Sequence, residues 1–170
     1  LPETALICRV PEAERYIARY RDRYDPSARR NVPAHVTVLY PFMPPEQIDD
    51  GVLERLRNIA GALPCFAYRL ARTERFPVAL YLAPDPGDSY AALTDAVFQA
   101  FPDYPPFEGK FDTVVPHVTV AHGDEPLLCE IDVELRISLP AAGIPARCHE
   151  LVLIENASGR WEQMHVFPLG

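Results

Sequence analysis

Two stretches decide how this chain is read: PAHVTVLYPF, residues 33 to 42, and VPHVTVAHG, residues 115 to 123. His35 and His117 lie 82 positions apart in a chain of 170 residues, so the repeated His-Val-Thr-Val marks an internal two-fold feature. On a strand, residues i and i+2 share a face. His35 therefore projects with Thr37, and His117 with Thr119, while Val36, Val38, Val118 and Val120 turn the other way into a core. Each copy reads as a strand with an apolar back and a hydrogen-bonding front.

Either copy alone is an ordinary solvent-facing strand pair. Two copies with the same flanking valines, a proline shortly before each and a near-halving of the chain point to an active site. A pair of imidazoles suits phosphodiester chemistry, because histidine titrates near neutral pH and one ring can be base while the other is acid. A threonine two positions along can donate its hydroxyl to a non-bridging phosphate oxygen. No metal is required. The chain also has no H-x-x-x-H or H-E-x-x-H pattern, and no acidic residue within either motif.

Outward from the motifs, the chain alternates short strands and helices. Residues 4 to 10 read as a buried strand ended by Pro11, and residues 12 to 24 as a helix carrying Tyr16, Ile17, Tyr20 and Tyr24, closed by Asp25-Pro26. The first motif strand, Val36 to Tyr40, stops at Pro41. Helical spacing returns from Glu46 to Leu63. Residues 65 to 71 and 76 to 83 look like a hairpin joined by the polar Arg72-Thr73-Glu74-Arg75. Asp88 or Ser89 is expected to cap a helix bearing Tyr90, Leu93, Val97 and Phe101. The second motif strand covers 114 to 121. Residues 126 to 139 fit neither period cleanly, and 148 to 155 with 161 to 168 form a final hairpin around Asn156-Ala157-Ser158-Gly159. The order is α+β, with two strand–helix–strand units.

Composition narrows the function classes. The size fits one domain over residues 1 to 170, in two lobes, and the 19 prolines are dispersed rather than gathered into a linker. Net charge is −8, and residues 86 to 170 hold 4 basic against 13 acidic side chains. That balance disfavours long nucleic acid, which calls for a basic footprint, and favours a small phosphorylated substrate. No apolar run approaches the roughly 18 residues that span a bilayer. The start LPETALICRV has neither a basic nor a long apolar leader region, so no membrane association and a cytoplasmic location are expected. Cys8, Cys65, Cys129 and Cys148 form no C-x-x-C pair and read as free thiols.

With both motifs in view, PAHVTVLYPF and PHVTVAHG, the chain resembles the 2H phosphoesterase superfamily and its 2′-5′ RNA ligase-like members, over essentially its whole length. The resemblance implies a bilobal, pseudo-two-fold fold in which two antiparallel sheets line a central cleft, with helices outside and one His-x-Thr on each wall. It implies opening of 2′,3′-cyclic phosphates, with RNA ends as further substrates through reversible 2′-5′ joining. His35 and His117 become the acid–base pair, and Thr37 and Thr119 the phosphate clamp. No cofactor is implied, and a monomer is expected. The rival reading is a module that binds a nucleotide or phosphorylated ligand in the same cleft without chemistry.

Around the motifs, substrate-binding candidates are Phe42, Tyr104, Lys110 and His122. Tyr40 and His122 both sit at odd displacement from the motif face, so regular strand parity turns them away from the histidines. Phe42, past Pro41, is free of that constraint, although core packing is the commoner use of such a ring. The proline- and aromatic-rich stretch 101 to 111 can form a lip carrying Tyr104, Phe107 and Lys110. The chain departs from the family pattern at His122: many ligase-like members carry a basic residue soon after the second motif, whereas this chain reads Ala121-His122-Gly123, which disfavours tRNA-like substrates. Arg29, Arg30 and Arg75 are candidate anion ligands, and His149 and His165 read as structural.

Overall fold

The chain runs β1 (Thr4–Arg9), α1 (Glu14–Tyr24), α2 (Pro26–Arg29), β2 (His35–Leu39), α3 (Asp50–Gly61), β3 (Phe66–Phe76), β4 (Ala79–Asp85), α4 (Asp88–Ala100), β5 (Val118–His122), α5 (Glu125–Ser138), β6 (Ile144–Cys148), β7 (Glu150–Glu155) and β8 (Glu162–Pro168). Short 3₁₀ turns lie at Pro11–Ala13, Pro45–Gln47 and Pro106–Gly109. The structure is a computed structural model that describes residues 1–170.

The strands are hydrogen-bonded in the order β6-β3-β4-β5-β2-β1-β7-β8, each antiparallel to its neighbours. The two motif strands β2 and β5 sit side by side in the middle and share a single residue pair, Val36 opposite Val118. The two expected sheets are thus two four-stranded halves, β2-β1-β7-β8 and β5-β4-β3-β6, joined along a thin seam. The helices are exchanged across it. α1, which leads into β2, packs on β5, and α4, which leads into β5, packs on β2. Thr94 of α4 ties that second contact with a hydrogen bond to Val38 O at 2.8 Å.

Most of the apolar periodicity is spent on one core. Leu6 and Cys8 of β1, Val36 and Val38 of β2, Val118 and Val120 of β5, Ile17 of α1 and Leu93 and Val97 of α4 all enter it. β1 is buried on both faces: Ala5 and Ile7 join Val32, Val152 and Ile154 in a smaller cluster on the opposite side. That is why its sequence is a continuous apolar run rather than an alternation.

Four local expectations are corrected. The β3–β4 turn lies at Pro77-Val78 instead of Arg72–Arg75. The polar run stays in the strand because its backbone is paired with β4 and its side chains reach α5, Thr73 donating to Asp132 Oδ1 at 2.5 Å and Arg75 pairing with Glu125 at 2.5 Å. α4 begins at Gly87 with no side-chain cap, so Asp88 and Ser89 fall inside the helix. Residues 125–138 form α5, capped by Asp124, whose Oδ1 accepts from Leu127 N at 3.1 Å. Its inner face, Leu128, Ile131 and Leu135, is buried, while the exposed Val133 and Ile137 blur the period. Finally, Cys148 ends β6, an unforeseen strand on β3, and the last hairpin starts at Glu150.

Candidate active site

The seam brings the two motifs together. Val36, Val38, Val118 and Val120 are buried, and His35, Thr37, His117 and Thr119 are part-exposed on the other face, as strand parity requires. Extending the Val36–Val118 register by one residue in each direction sets His35 across from Thr119 and Thr37 across from His117. The four side chains thus lie on one face astride the seam.

Both imidazoles are held in the same way. His35 Nδ1 lies 2.8 Å from Pro33 O, and His117 Nδ1 lies 2.7 Å from Val115 O. A carbonyl only accepts, so each Nδ1 carries the hydrogen and, in the neutral ring, each Nε2 keeps a free lone pair. Burial pushes His35 down to about 4, against the bond to Pro33 O, and the charge of Arg21 adds to the fall. His117 is also lowered by burial, with His122 adding to it. Both rings are therefore neutral at pH 7.

Beneath the first motif lies a buried ion pair. Arg21 and Asp25 have side chains only 3% and 2% exposed, with Nε to Oδ2 at 3.0 Å. Arg21 Nη2 also donates to Val32 O at 2.9 Å, and Asp25 Oδ1 caps α2 by accepting from Ser27 N and Oγ. Glu14 Oε1 accepts from Ala34 N at 2.6 Å, immediately before His35. The chain from 25 to 34 is thereby fixed at several points, and it delivers the first histidine.

Two register slips correct the parity expectation for Tyr40 and His122. Leu6 pairs with Leu39 but Ile7 with Thr37, which makes Val38 an extra residue; Leu80 pairs with Ala121 but Tyr81 with Thr119, which does the same for Val120. Each bulge shifts the later residues of its strand by one. Tyr40 then lines a cavity of about 250 Å³ together with His35 and Thr37. His122, half-exposed, comes to 4.0 Å from Asp25 Oδ1.

The remaining candidates are dispersed. Phe42 is buried in the core, edge-on to Phe101 and Tyr104 at centroid distances of 5.2 and 5.6 Å, so it is corrected to a packing residue. Tyr104 joins the same packing and donates its hydroxyl to Gln47 at 2.9 Å, away from the motif residues. Lys110 is exposed and paired with Glu108 at 3.2 Å. The loop that carries it does touch the site's edge, where Phe107 N donates to Tyr40 O at 2.6 Å. Arg75 is occupied by Glu125 and Asp132. Arg29, at the end of α2, is exposed and outside the lining of the motif cavity, whereas Arg30 is on it. His149 and His165 are exposed and likewise outside it.

Sequence reasoning did not reach three features. Phe76 and Tyr81 stand edge-on to His117 at 5.0 and 5.5 Å. Trp161, just before β8, meets Tyr40 at 6.0 Å and 73° over the cavity beside His35. Glu3 accepts the Tyr40 hydroxyl at 2.9 Å. No group of three or more His, Cys, Asp or Glu side chains converges anywhere in the fold, and no helix is long and apolar enough to cross a membrane.

A model of the 2′-5′ RNA ligase superfamily matches residues 10–160. The chain belongs to the 2′-5′ RNA ligase superfamily. A Geobacillus kaustophilus protein provisionally named a phosphoesterase is 30% identical over 158 residues, which cover 89% of this chain and 86% of that one. Among solved structures, Escherichia coli LigT complexed with 3′-AMP superposes over 99% of both chains with a TM-score of 0.64 at 15% identity. TT0787 of Thermus thermophilus covers 98% of this chain and 97% of its own, with a TM-score of 0.61 at 16% identity. These structures share the α+β fold of this chain. Family and fold together support a phosphoesterase activity.

Proposed function

We propose that this chain hydrolyses a 2′,3′-cyclic phosphate, or a related small cyclic nucleotide ester, by metal-independent acid–base catalysis between His35 and His117. The observation that carries the reading is the matched pair of rings. Each has Nδ1 tied to the carbonyl two residues back, each leaves Nε2 free, and each shares its side of the strand with a threonine two residues on. In the reaction, Nε2 of one histidine takes a proton from water as the water oxygen bonds to phosphorus. The bond from phosphorus to one ribose oxygen breaks, and the other histidine, protonated at Nε2, gives that oxygen its proton. Thr37 and Thr119 donate to the non-bridging oxygens, where negative charge builds. His122, when protonated, adds a charge near the phosphate.

The nucleoside seats against the Tyr40–Trp161 corner, an aromatic surface of the kind on which bases stack. Escherichia coli LigT has been crystallised with 3′-AMP and with NADP+, ligands of the same chemical class. The chain acts as a monomer in the cytoplasm. Residues 1 to 170 form one catalytic unit, because the motif pair needs both halves of the sheet. With the 5′-hydroxyl of a second RNA end in place of water, the same steps in the same direction would give 2′-5′ joining: the hydroxyl oxygen bonds to phosphorus, the bond from phosphorus to the 3′ oxygen breaks, and that oxygen takes the proton.

The test is hydrolysis of the four 2′,3′-cyclic nucleoside monophosphates in EDTA, with His117→Ala as control. Turnover that persists in EDTA, vanishes in the control and gives one monophosphate isomer is the expected result. Tight binding of all four without conversion would replace this reading with that of a binding module.

A further inference from the structure

We infer that the site also reads a second phosphate, on the 5′ side of the nucleoside whose cyclic phosphate is opened, and that Arg30 is the residue that reads it. The inference rests on the cyclic-phosphate reading above. The cavity lined by His35, Thr37 and Tyr40 adjoins a second hollow of about 400 Å³ beside Asn156 and Gly159 of the β7–β8 turn. Two residues line both, Arg30 and Trp161. Any substrate that extends from the first cavity into the second passes an indole and a guanidinium.

The guanidinium is available. Arg30 is exposed, and its side chain makes no hydrogen bond or ion pair within the protein. No other arginine or lysine stands on the lining of the first cavity. Arg21, close behind, is committed to Asp25, Ser27 and Val32. Glu3, the carboxylate on the same lining, is engaged through Oε2 by Tyr40 and Asn156. A guanidinium with no partner in the protein is free to take a phosphate from the substrate.

The backbone beneath Arg30 is fixed although its side chain is free. Arg30 N donates to Ser27 O at 3.1 Å, Trp161 N donates to Arg30 O at 2.8 Å, and Asn31 Nδ2 donates to Trp161 O at 2.9 Å. The two residues that carry the indole and the guanidinium are thus held in one relation by these bonds. A nucleoside 2′,3′-cyclic phosphate has its remaining attachment point at the 5′ oxygen. With the base on the Tyr40–Trp161 corner, a phosphate on that oxygen is the group within reach of a neighbouring arginine, whose planar fork matches phosphate and stays charged at any working pH.

The chemistry comes from two sources, a terminal 5′-phosphate or the phosphodiester of a longer chain. The experiment compares kcat/KM of wild type, Arg30→Ala and Arg30→Lys on three substrates: adenosine 2′,3′-cyclic phosphate, the same compound with a 5′-phosphate, and the dinucleotide ApA ending in a 2′,3′-cyclic phosphate. Wild type should favour one or both phosphate-bearing substrates by about 10-fold or more, as expected for a charge-assisted contact. The ratio should fall towards one in Arg30→Ala, stay intermediate in Arg30→Lys and shrink as salt rises. Which substrate is favoured identifies the source. Equal wild-type turnover of all three, or a preference that survives Arg30→Ala, overturns the role of Arg30 and leaves the cyclic-phosphate reading standing. Turnover of none overturns both.

Discussion

The first motif strand, His35–Leu39, and the second, Val118–His122, share their sequence, their tautomer-fixing carbonyl and a bulge one residue past the threonine. Their surroundings differ. His35 stands beside an open cavity with Tyr40, Trp161 and Arg30 on its lining and a buried Arg21–Asp25 pair behind it. His117 is walled by the edges of Phe76 and Tyr81. The duplicated part is the part that would act on phosphorus, and the unduplicated part would give the substrate a direction, with the nucleoside on the His35 side. A two-fold site needs such an asymmetry to tell acid from base.

The strongest way to break the comparison is to remove one ring at a time. His35→Ala and His117→Ala should each cost about 10²- to 10⁴-fold in kcat, and the double variant little more than either, because the two act as a unit. Near-wild-type turnover in either single variant would sink the two-histidine mechanism. Next is stability: Asp25→Ala strands the buried Arg21 charge and should cost about 3 to 5 kcal/mol in denaturant titration. Arg21→Met combined with Asp25→Leu should recover much of it.

Thr37→Val and Thr119→Val should each lower kcat by about 10- to 1,000-fold, and unequal losses would show which wall carries more of the developing charge. Trp161→Ala should act mainly on KM, by about 10-fold, the scale of one lost stacking contact. Phe76→Leu, on the other wall, should appear in kcat through the packing of His117. The smallest effects concern pH. With His35 near 4 and His117 lowered from 6.5, kcat/KM should be bell-shaped with its maximum between about 4 and 6.5. Across that window the unfolded chain takes up a proton at residue 35 that the folded chain refuses, so stability falls as pH falls. His35→Gln should flatten the slope of Tm against pH there.

The sequence carried the motif face well, because period-two alternation at His35–Val38 and His117–Val120 depends only on strand geometry. It could not carry the path of the chain beyond each threonine. A bulge adds one residue without any compositional mark, so Tyr40 and His122 read as facing away when they do not. Phe42 and Tyr104 were ambiguous for a different reason: an aromatic near a motif looks the same whether it will meet a base or, as both do here, the aromatic cluster with Phe101. Arg21 and Asp25 were legible as a helix residue and a helix stop, and their burial depends on tertiary contacts with Val32 and Ser27. The Arg72–Arg75 run misled because strand polarity there is matched by carboxylates on α5, a helix whose own period was obscured by Val133 and Ile137.

The order of strands also bears on how the molecule is made. The half that carries the second motif, β5-β4-β3-β6, is written without interruption from Phe66 to Cys148. The half that carries the first is assembled from strands on either side of that block, β1 and β2 with β7 and β8. During synthesis from the N-terminal side, the second half can close while the ribosome is still at work. The first waits for β7 and β8 to emerge, with contacts as distant in sequence as Thr4 and Glu155. A chain cut short before Glu150 would hold one finished wall and only β1 and β2 of the opposite one.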